Sequence, residues 1–245
     1  MQLLFYRIGG FLVSKEISYS IIIPCLNEYP NLTRLLPQLV QSFENRTHEI
    51  IVCNATACKD TEGLCKKLGV DFVESKAQSR AIQMNKAAAI AKHEVLYFIH
   101  ADTMIPQTAA SDIESALNAG YDSGCYRFKF DKDVIPLMIN SSFTRFRGQM
   151  FRGGDQTLWV KRELFFEIGP YDEEVFLMEE YPLIKKLKQK ASFTVMPKAV
   201  VVSSRKYDGN AYVKVNLVNL LVFILFHLGY PTMKLRKLYS KMLQN

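Results

Sequence analysis

The sequence predicts a single α/β domain over residues 1–245, with a mostly parallel central sheet flanked by helices and an apolar helix at the C-terminal end. Three observations carry that expectation. Val95 to Ile99 is an unbroken apolar run of strand-forming residues, the pattern of a strand covered on both faces. Strand-like and helix-like patterns alternate from Ser20 onward, as in a doubly wound sheet. Polar side chains appear abruptly where strand patterns end, as at His100, Asp102 and Thr103. In open parallel sheets the crevice beyond those carboxyl ends is where ligands bind.

Composition narrows the function classes. With 49% hydrophobic and 22% charged residues, the chain folds around a sizeable core rather than remaining disordered. The net charge of +7, from 31 basic and 24 acidic residues, suits anionic lipid, a phosphorylated small molecule or nucleic acid. No basic stripe interleaved with aromatics is present, so nucleic acid is not an expected partner. The five cysteines are an odd number, and Cys53, Cys58 and Cys65 lack the C-x2-C spacing of a zinc site. They read as reduced thiols of a cytoplasmic protein. Met1 to Val13 is apolar in patches, but Arg7 interrupts it and it has neither a basic start nor a cleavage site, so it does not read as a signal peptide.

Taken in order, Ser20–Pro24 is an Ile-rich strand, followed by Cys25-Leu-Asn-Glu28 and a helix on which Leu32, Leu35, Leu36, Leu39, Val40 and Phe43 keep helical spacing, with a kink expected at Pro37. Asn27 and Glu28 stand at the first strand's carboxyl end; such residues are also ordinary helix caps. Glu49–Cys53 and Val70–Val73 read as the next strands, with a short helix through Thr61 and Glu62 between them. Ala77–Ala91 is a strong helix by propensity. Arg80 lies in its first turn, on the wrong end for the helix dipole, so either a phosphate or a neighbouring carboxylate is expected beside it.

After the Val95–Ile99 strand, His100 and Asp102 are spaced to share a divalent cation; alternatively Asp102 caps a helix beginning at Thr103 or Pro106. Thr108–Ala119 reads as a helix and Tyr121–Phe130 as a half-exposed strand; Val134–Met150 reads as a helix followed by a mobile basic loop. Arg152-Gly-Gly-Asp-Gln156 is either a plain turn or a close backbone approach, with Asp155 and Gln156 offering hydrogen bonds to hydroxyls. Thr157–Val160 reads as a strand, with a helix from Lys161 to Gly169. Glu179 and Glu180 precede Pro182 at a helix start, where they suit the dipole; equally, one of two adjacent carboxylates becomes a general base if burial raises its pKa. Phe193–Ser203 supplies further strand before Arg205. Val213–Leu228 is strongly apolar but short of the roughly 20 residues that span a bilayer. With the basic tail Lys234, Arg236, Lys237 and Lys241, it suits a membrane interface, a packed helix or an oligomer contact.

With these residues in place, the chain resembles the family-2 glycosyltransferases of GT-A fold, in particular small bacterial members whose metal motif reads His-Ala-Asp-Thr. The matching stretches run in order from about Ser20 to Tyr239: Ile23-Pro-Cys-Leu-Asn-Glu28, Ser79-Arg-Ala-Ile-Gln-Met-Asn85, His100-Ala-Asp-Thr103, Gly154-Asp-Gln156, Met178-Glu-Glu180 and Ser203-Ser-Arg205. The resemblance implies a nucleotide-binding half at about residues 18–103, an acceptor half at 104–206 and a C-terminal helical segment at 210–245. It implies that Pro24, Asn27 and Glu28 line the nucleotide pocket, and that Arg80 and Arg205 lie near the diphosphate. Asp102, with His100, would hold Mg2+ or Mn2+. Asp155 and Gln156 would face donor sugar or acceptor, with Glu180, beside Glu179, as the base of an inverting transfer from a nucleotide-diphosphate sugar to a hydroxyl. Such an enzyme would sit in the cytoplasm or peripherally on the inner face of the cell membrane.

Two departures stand out. Val52-Cys-Asn-Ala-Thr56 replaces the family's usual acid after the second strand, leaving Asn54 to meet the base or ribose, and Glu179-Glu180 replaces the usual Glu-Asp pair. They keep open a second reading, a GT-A-like domain that binds nucleotide or glycan without turnover.

Overall fold

A computed structural model describes residues 4–8, 11–146, 148, 156–208 and 210–243, those before residue 16 by backbone alone. Strands β1 (Leu4–Ile8) and β2 (Phe11–Lys15) pair as a separate antiparallel hairpin. The domain proper begins with β3 (Tyr19–Cys25), all of whose residues are buried, and α1 (Tyr29–Phe43), which turns Leu32, Leu35, Leu36, Leu39 and Phe43 inward and continues through Pro37. Then come β4 (His48–Asn54), α2 (Lys59–Leu68), β5 (Asp71–Glu74), α3 (Arg80–Ile90) and β6 (Val95–Phe98). The chain continues through β7 (Thr103–Met104), α4 (Ala109–Asn118), β8 (Ser123–Phe130), α5 (Ile135–Ser142), β9 (Leu158–Lys161) and α6 (Arg162–Glu167). It ends with α7 (Glu180–Lys190), β10 (Phe193–Val202), α8 (Tyr212–His227) and α9 (Thr232–Leu243).

Eight strands form one sheet in the order β5-β4-β3-β6-β9-β8-β10-β7, and four of its seven neighbour pairings are parallel. The period of two explains its two cores. Tyr19, Ile21 and Ile23 of β3, Ile50 and Val52 of β4, and Val95 and Tyr97 of β6 face one side with α1 and α4. Ile22, Ile51, Cys53, Leu96 and Phe98 face the other, with Met84 and Ala87 of α3, Phe165 of α6 and Leu187 of α7. From β3 the chain steps outward to β4 and β5, then returns to pair β6 on β3's other side. That reversal opens a crevice between the carboxyl ends of β3 and β6.

Two expectations need correction. Asp102 does not cap a helix: residues 103–104 pair with Val201 and Val202 of β10, and the next helix starts at Ala109. A two-residue strand has no sequence period, and β10 alone specifies it. The Tyr121–Phe130 strand is not half-exposed along its length: Ser123 to Tyr126 are all buried, because β9 and β10 flank that end. Of the basic loop expected at the end of Val134–Met150, Phe143–Arg145 forms a short 3-10 turn, and residues 147, 149 and 150 lie outside the described residues.

Gly124 marks the tightest point of the sheet. A Cβ there would sit 2.8 Å from Trp159 Nε1 and 2.9 Å from the Thr194 carbonyl oxygen. Gly124→Ala is therefore expected to lower the unfolding free energy by about 1–3 kcal/mol. Urea denaturation reads this directly, and an unchanged midpoint would mean that β8 has room for a methyl.

Candidate active site

Four chain segments meet at the crevice. The first turn of α3 presents Arg80, behind an N-cap at Ser79 whose hydroxyl accepts from the Ile82 amide. The residues after β6 present His100 and Asp102, the start of α7 presents Glu179 and Glu180, and the end of β3 presents Asn27 and Glu28. Arg80 Nε lies 3.2 Å from Glu179 Oε1, and His100 Nε2 lies 3.2 Å from Glu180 Oε1. Arg80 Nη1 stands 3.5 Å from His100 Nδ1, so the two basic side chains meet between the two carboxylates.

Both glutamates are buried, at 3% and 6% exposure, and the two 3.2 Å contacts are out of line for hydrogen bonds. Among the described residues Glu179 Oε1 and Glu180 Oε1 accept no hydrogen bond. Burial and then the neighbouring Glu180 charge raise the Glu179 pKa, with Arg80 opposing. For Glu180 burial acts the same way, but the contact with His100 and its charge, then Arg80, outweigh it and hold the carboxyl below its ordinary value. Burial opposes protonation of His100, yet Glu180 more than compensates, and the imidazole is raised. The paired carboxyls are thus driven apart: Glu180 is the ionised one and Glu179 the more readily protonated.

Two of the four described non-glycine residues with positive φ lie here. Asn27 has φ 57°, which asparagine tolerates, and Met178, directly before Glu179, has φ 67°, which an unbranched apolar side chain seldom adopts. Such strain costs on the order of 1–3 kcal/mol and aims the chain that carries the two carboxylates.

The remaining expected residues fall into three groups. Glu28 and Arg205, 177 positions apart, meet at 3.4 Å, so the first and last motifs do converge. Asn54 is brought near but turned inward: its Oδ1 accepts from the Cys25 thiol and its Nδ2 donates to the Thr56 carbonyl, at 2.9 and 2.6 Å. Pro24 is buried in β3 opposite Cys53, and burial pushes the Cys53 thiol up to about 11, so no charged group stands at the end of β4. Gln156 is buried, with its Nε2 unsatisfied among the described residues. Asp155 lies outside the described residues.

Gln83 was not singled out by its sequence context. Its Nε2 donates to the carbonyls of Cys25 and Cys53, both at 2.7 Å, and ties the carboxyl ends of β3 and β4 to α3. A lone amide on an otherwise alanine- and methionine-lined helix face was the available signal.

Among the described residues no three His, Cys, Asp or Glu side chains converge as a metal cage. Both ring nitrogens of His100 face Glu180 and Arg80, whereas the half-buried Asp102 carboxylate has no hydrogen bond or ion pair among the described residues. One free carboxylate suits a cation whose other ligands are water and phosphate oxygens, the usual arrangement for Mg2+.

Beside the glutamate pair a cavity of about 350 Å³, without Asn27, Glu28 or Asn54 in its lining, opens between β8, α5 and α8. Arg80, Glu179 and Glu180 form its inner end, and Phe128, Phe130 and Phe223 contribute to its walls.

A curled, mixed sheet with a crevice at its switch point, and a carboxylate pair facing arginine and histidine, defines a GT-A-type α/β domain. The model of glycosyl transferase family 2 matches residues 20–176, and the chain belongs to that family. No curated protein matches the chain. Among solved structures, S. aureus TarS 1-349 superposes with a TM-score of 0.63 at 17% identity, covering 84% of this chain and 66% of that one. The mannosyltransferase PcManGT from Pyrobaculum calidifontis, in complex with GDP-Man and Mn2+, gives 0.61 at 17%, covering 83% and 61%. Glucosyl-3-phosphoglycerate synthase from Mycobacterium tuberculosis, in complex with Mn2+, UDP and glucosyl-3-phosphoglycerate, gives 0.58 at 17%, covering 84% and 79%. The chain thus spans less than two thirds of TarS 1-349 and of PcManGT.

The opposed shifts carry a stability test. Because the folded-state pKa of Glu179 is raised above its ordinary 4.5, its contribution is favourable below pH 4.5 and is lost as pH rises through the folded value. Glu179→Gln keeps the shape without the charge. It is expected to melt at a higher temperature than the parent at pH 7, with the gap closing below pH 4.5; a lower melting temperature at pH 7 would place the dominant interaction in the Arg80 ion pair instead.

Proposed function

We propose that this protein transfers a glycosyl group from a nucleotide-diphosphate sugar to an acceptor hydroxyl, with inversion at the anomeric carbon and Glu180 as general base. The observation that carries the reading is geometric: the buried, ionised Glu180 carboxylate stands at the switch-point crevice 3.2 Å from His100 Nε2, with Arg80 backing that histidine. As the acceptor oxygen bonds to the anomeric carbon, its proton passes to Glu180. The bond from that carbon to the diphosphate breaks, and the electron pair leaves with the diphosphate. Arg80, and Arg205 across from Glu28, are cations within reach of that growing charge. Asp102 would hold Mg2+ or Mn2+, which would supply further positive charge to the leaving diphosphate. Asn27 and Glu28 line the nucleotide side, while Asn54, Gln83 and Pro24 shape the loops behind it. Neighbours of the same fold that were solved with GDP-Man or UDP and Mn2+ support this reading.

The rival reading, binding without turnover, draws on the buried, neutral end of β4 at Cys53 and Asn54. Nucleoside-diphosphate release from UDP-, GDP- and dTDP-sugars separates the two. Glu180→Gln is expected to cut release by about a hundredfold or more while donor binding persists. If the parent binds a donor and releases nothing, the rival stands.

For the metal, a donor at a hundred times its dissociation constant raises stability by about 2.7 kcal/mol, readable as a thermal shift. Asp102→Ala is expected to lose the Mn2+-dependent part of that shift while keeping its own melting transition; an undiminished Mn2+ effect would remove Asp102 from the metal site.

A peripheral place on the inner face of the cell membrane belongs to the same proposal. Among the described residues no helix is long and apolar enough to cross a membrane.

A further inference from the structure

We infer that the cavity beside Glu180 is the site of an amphiphilic acceptor, a hydroxylated head group on an alkyl or isoprenoid chain, which enters from an anionic lipid surface met by the outer faces of α5 and α8. This rests on the glycosyl-transfer reading and names its acceptor class.

The cavity's lining is both polar and apolar. Arg80 stands beside Glu179, and Asn140, Asn216 and Lys206 add polar groups to a wall otherwise made by phenylalanines together with Leu177, Leu220 and Val222. A volume of about 350 Å³ falls at the low end of small-molecule pockets, enough to seat a head group and the start of a chain. Of the described residues expected to meet the donor, Arg80 lines the cavity at the glutamates, whereas Pro24, Asn27, Glu28, Asn54 and Arg205 do not line it.

The outer end of the cavity runs into exposed apolar surface. Helix α8 is apolar on two opposite faces. Val215, Val218 and Val222 pack inward with Leu243 of α9, while Val213, Leu217, Leu220, Leu221, Ile224 and Leu228 recur at helical spacing on the outside, 38–77% exposed. Helix α5 adds Ile135, Met138 and Ile139, at 72%, 55% and 55%. The two helices are joined by Asn140 Nδ2 donating to Asn216 Oδ1 at 3.1 Å, so their apolar faces are neighbours. Leu220 is 49% exposed and also lines the cavity, which makes surface and cavity continuous. An apolar patch of this kind is unusual on a monomer without a partner.

Charge identifies the occupant as anionic lipid. Residues 210–245 hold five basic side chains and no acidic one. Lys234, Lys237 and Lys241 form an exposed row on α9, packed beside α8. Apolar side chains flanked by a lysine row suit an interface of acyl chains and anionic head groups. A two-fold contact between copies would cover the apolar strip but bring like charges together at its rim.

The test uses the full chain with two probes. In flotation, binding to phosphatidylcholine vesicles containing phosphatidylglycerol is expected, with vesicles of phosphatidylcholine alone retaining little. The double variant Leu217→Glu/Ile224→Glu, at exposed positions outside the cavity lining, is expected to bind about tenfold less with an unchanged melting temperature. In photolabelling, dodecyl glucoside with a diazirine on its chain is expected to tag segments 128–146 and 212–226. Unlabelled dodecyl glucoside should compete at about tenfold lower concentration than octyl glucoside, and glucose should not compete. Glucose competing as well as dodecyl glucoside, or label confined to other segments, would overturn the inference. So would a dimer dissolved by the double variant in a protein that does not float. Labelling needs no turnover: label in the cavity without product defeats the transferase reading alone, and product from free glucose without label defeats this one alone.

Discussion

Two consecutive buried carboxylates are the constraint on which the rest of the site depends. Removing two like charges from water side by side is unfavourable unless cations or protons compensate. Here each glutamate faces its own basic partner, and the partners face each other, in the order Glu179, Arg80, His100, Glu180. The arrangement accounts for an oddity of α3, which begins with an arginine where the helix dipole favours an acid. Glu179, brought in from α7, supplies the missing negative charge. Neutralisation is uneven, and the inequality is chemically useful: the carboxyl beside His100 stays ionised while its neighbour is pushed toward protonation.

The sheet makes that convergence possible. Arg80, His100 and Glu180 belong to different helix or strand ends, and the reversal of strand order at β3 sets those ends around one crevice. Gln83 holds the floor by capping the last carbonyls of β3 and β4. The positive φ at Met178 turns the glutamate pair into the same opening, so local strain is offset by the two cores behind it.

The parallel core was legible because its strands are short, apolar and separated by helical periods; β3, β4 and β6 fall within a residue or two of their expected bounds. Thr103 and Met104 were not legible as strand, since β10, about a hundred positions later, is what pairs them. The glutamates, Arg80 and Asp102 could be singled out as polar groups at strand or helix ends. That His100 would face Glu180, and that Asn54 would spend its amide on Cys25 and Thr56, required knowing which loops touch. The cavity was invisible for the same reason. Phe128 and Phe130 read as an alternating strand, and the outer apolar face of α8 could not be told from a packed one until the inner face was seen to be filled.

The two departures from the family pattern act on different parts of the reaction. At the end of β4 a buried neutral thiol and an inward-facing amide replace an acid; on the proposed reading, side-chain charge is withdrawn from the nucleotide's far end and recognition there would fall to backbone and to residues such as Asn27 and Glu28. At α7 the extra methylene of Glu180 would let a free side chain wander, and loss of placement costs rate. Glu180 is not free: His100 stands 3.2 Å from it and is itself backed by Arg80. A histidine two residues before Asp102 thus stands against the longer carboxylate and would restrain it as the proposed base, leaving Asp102 as the carboxylate that would take the cation. In this chain the His-Ala-Asp-Thr and Glu-Glu motifs are therefore best understood as one unit, each making the other workable.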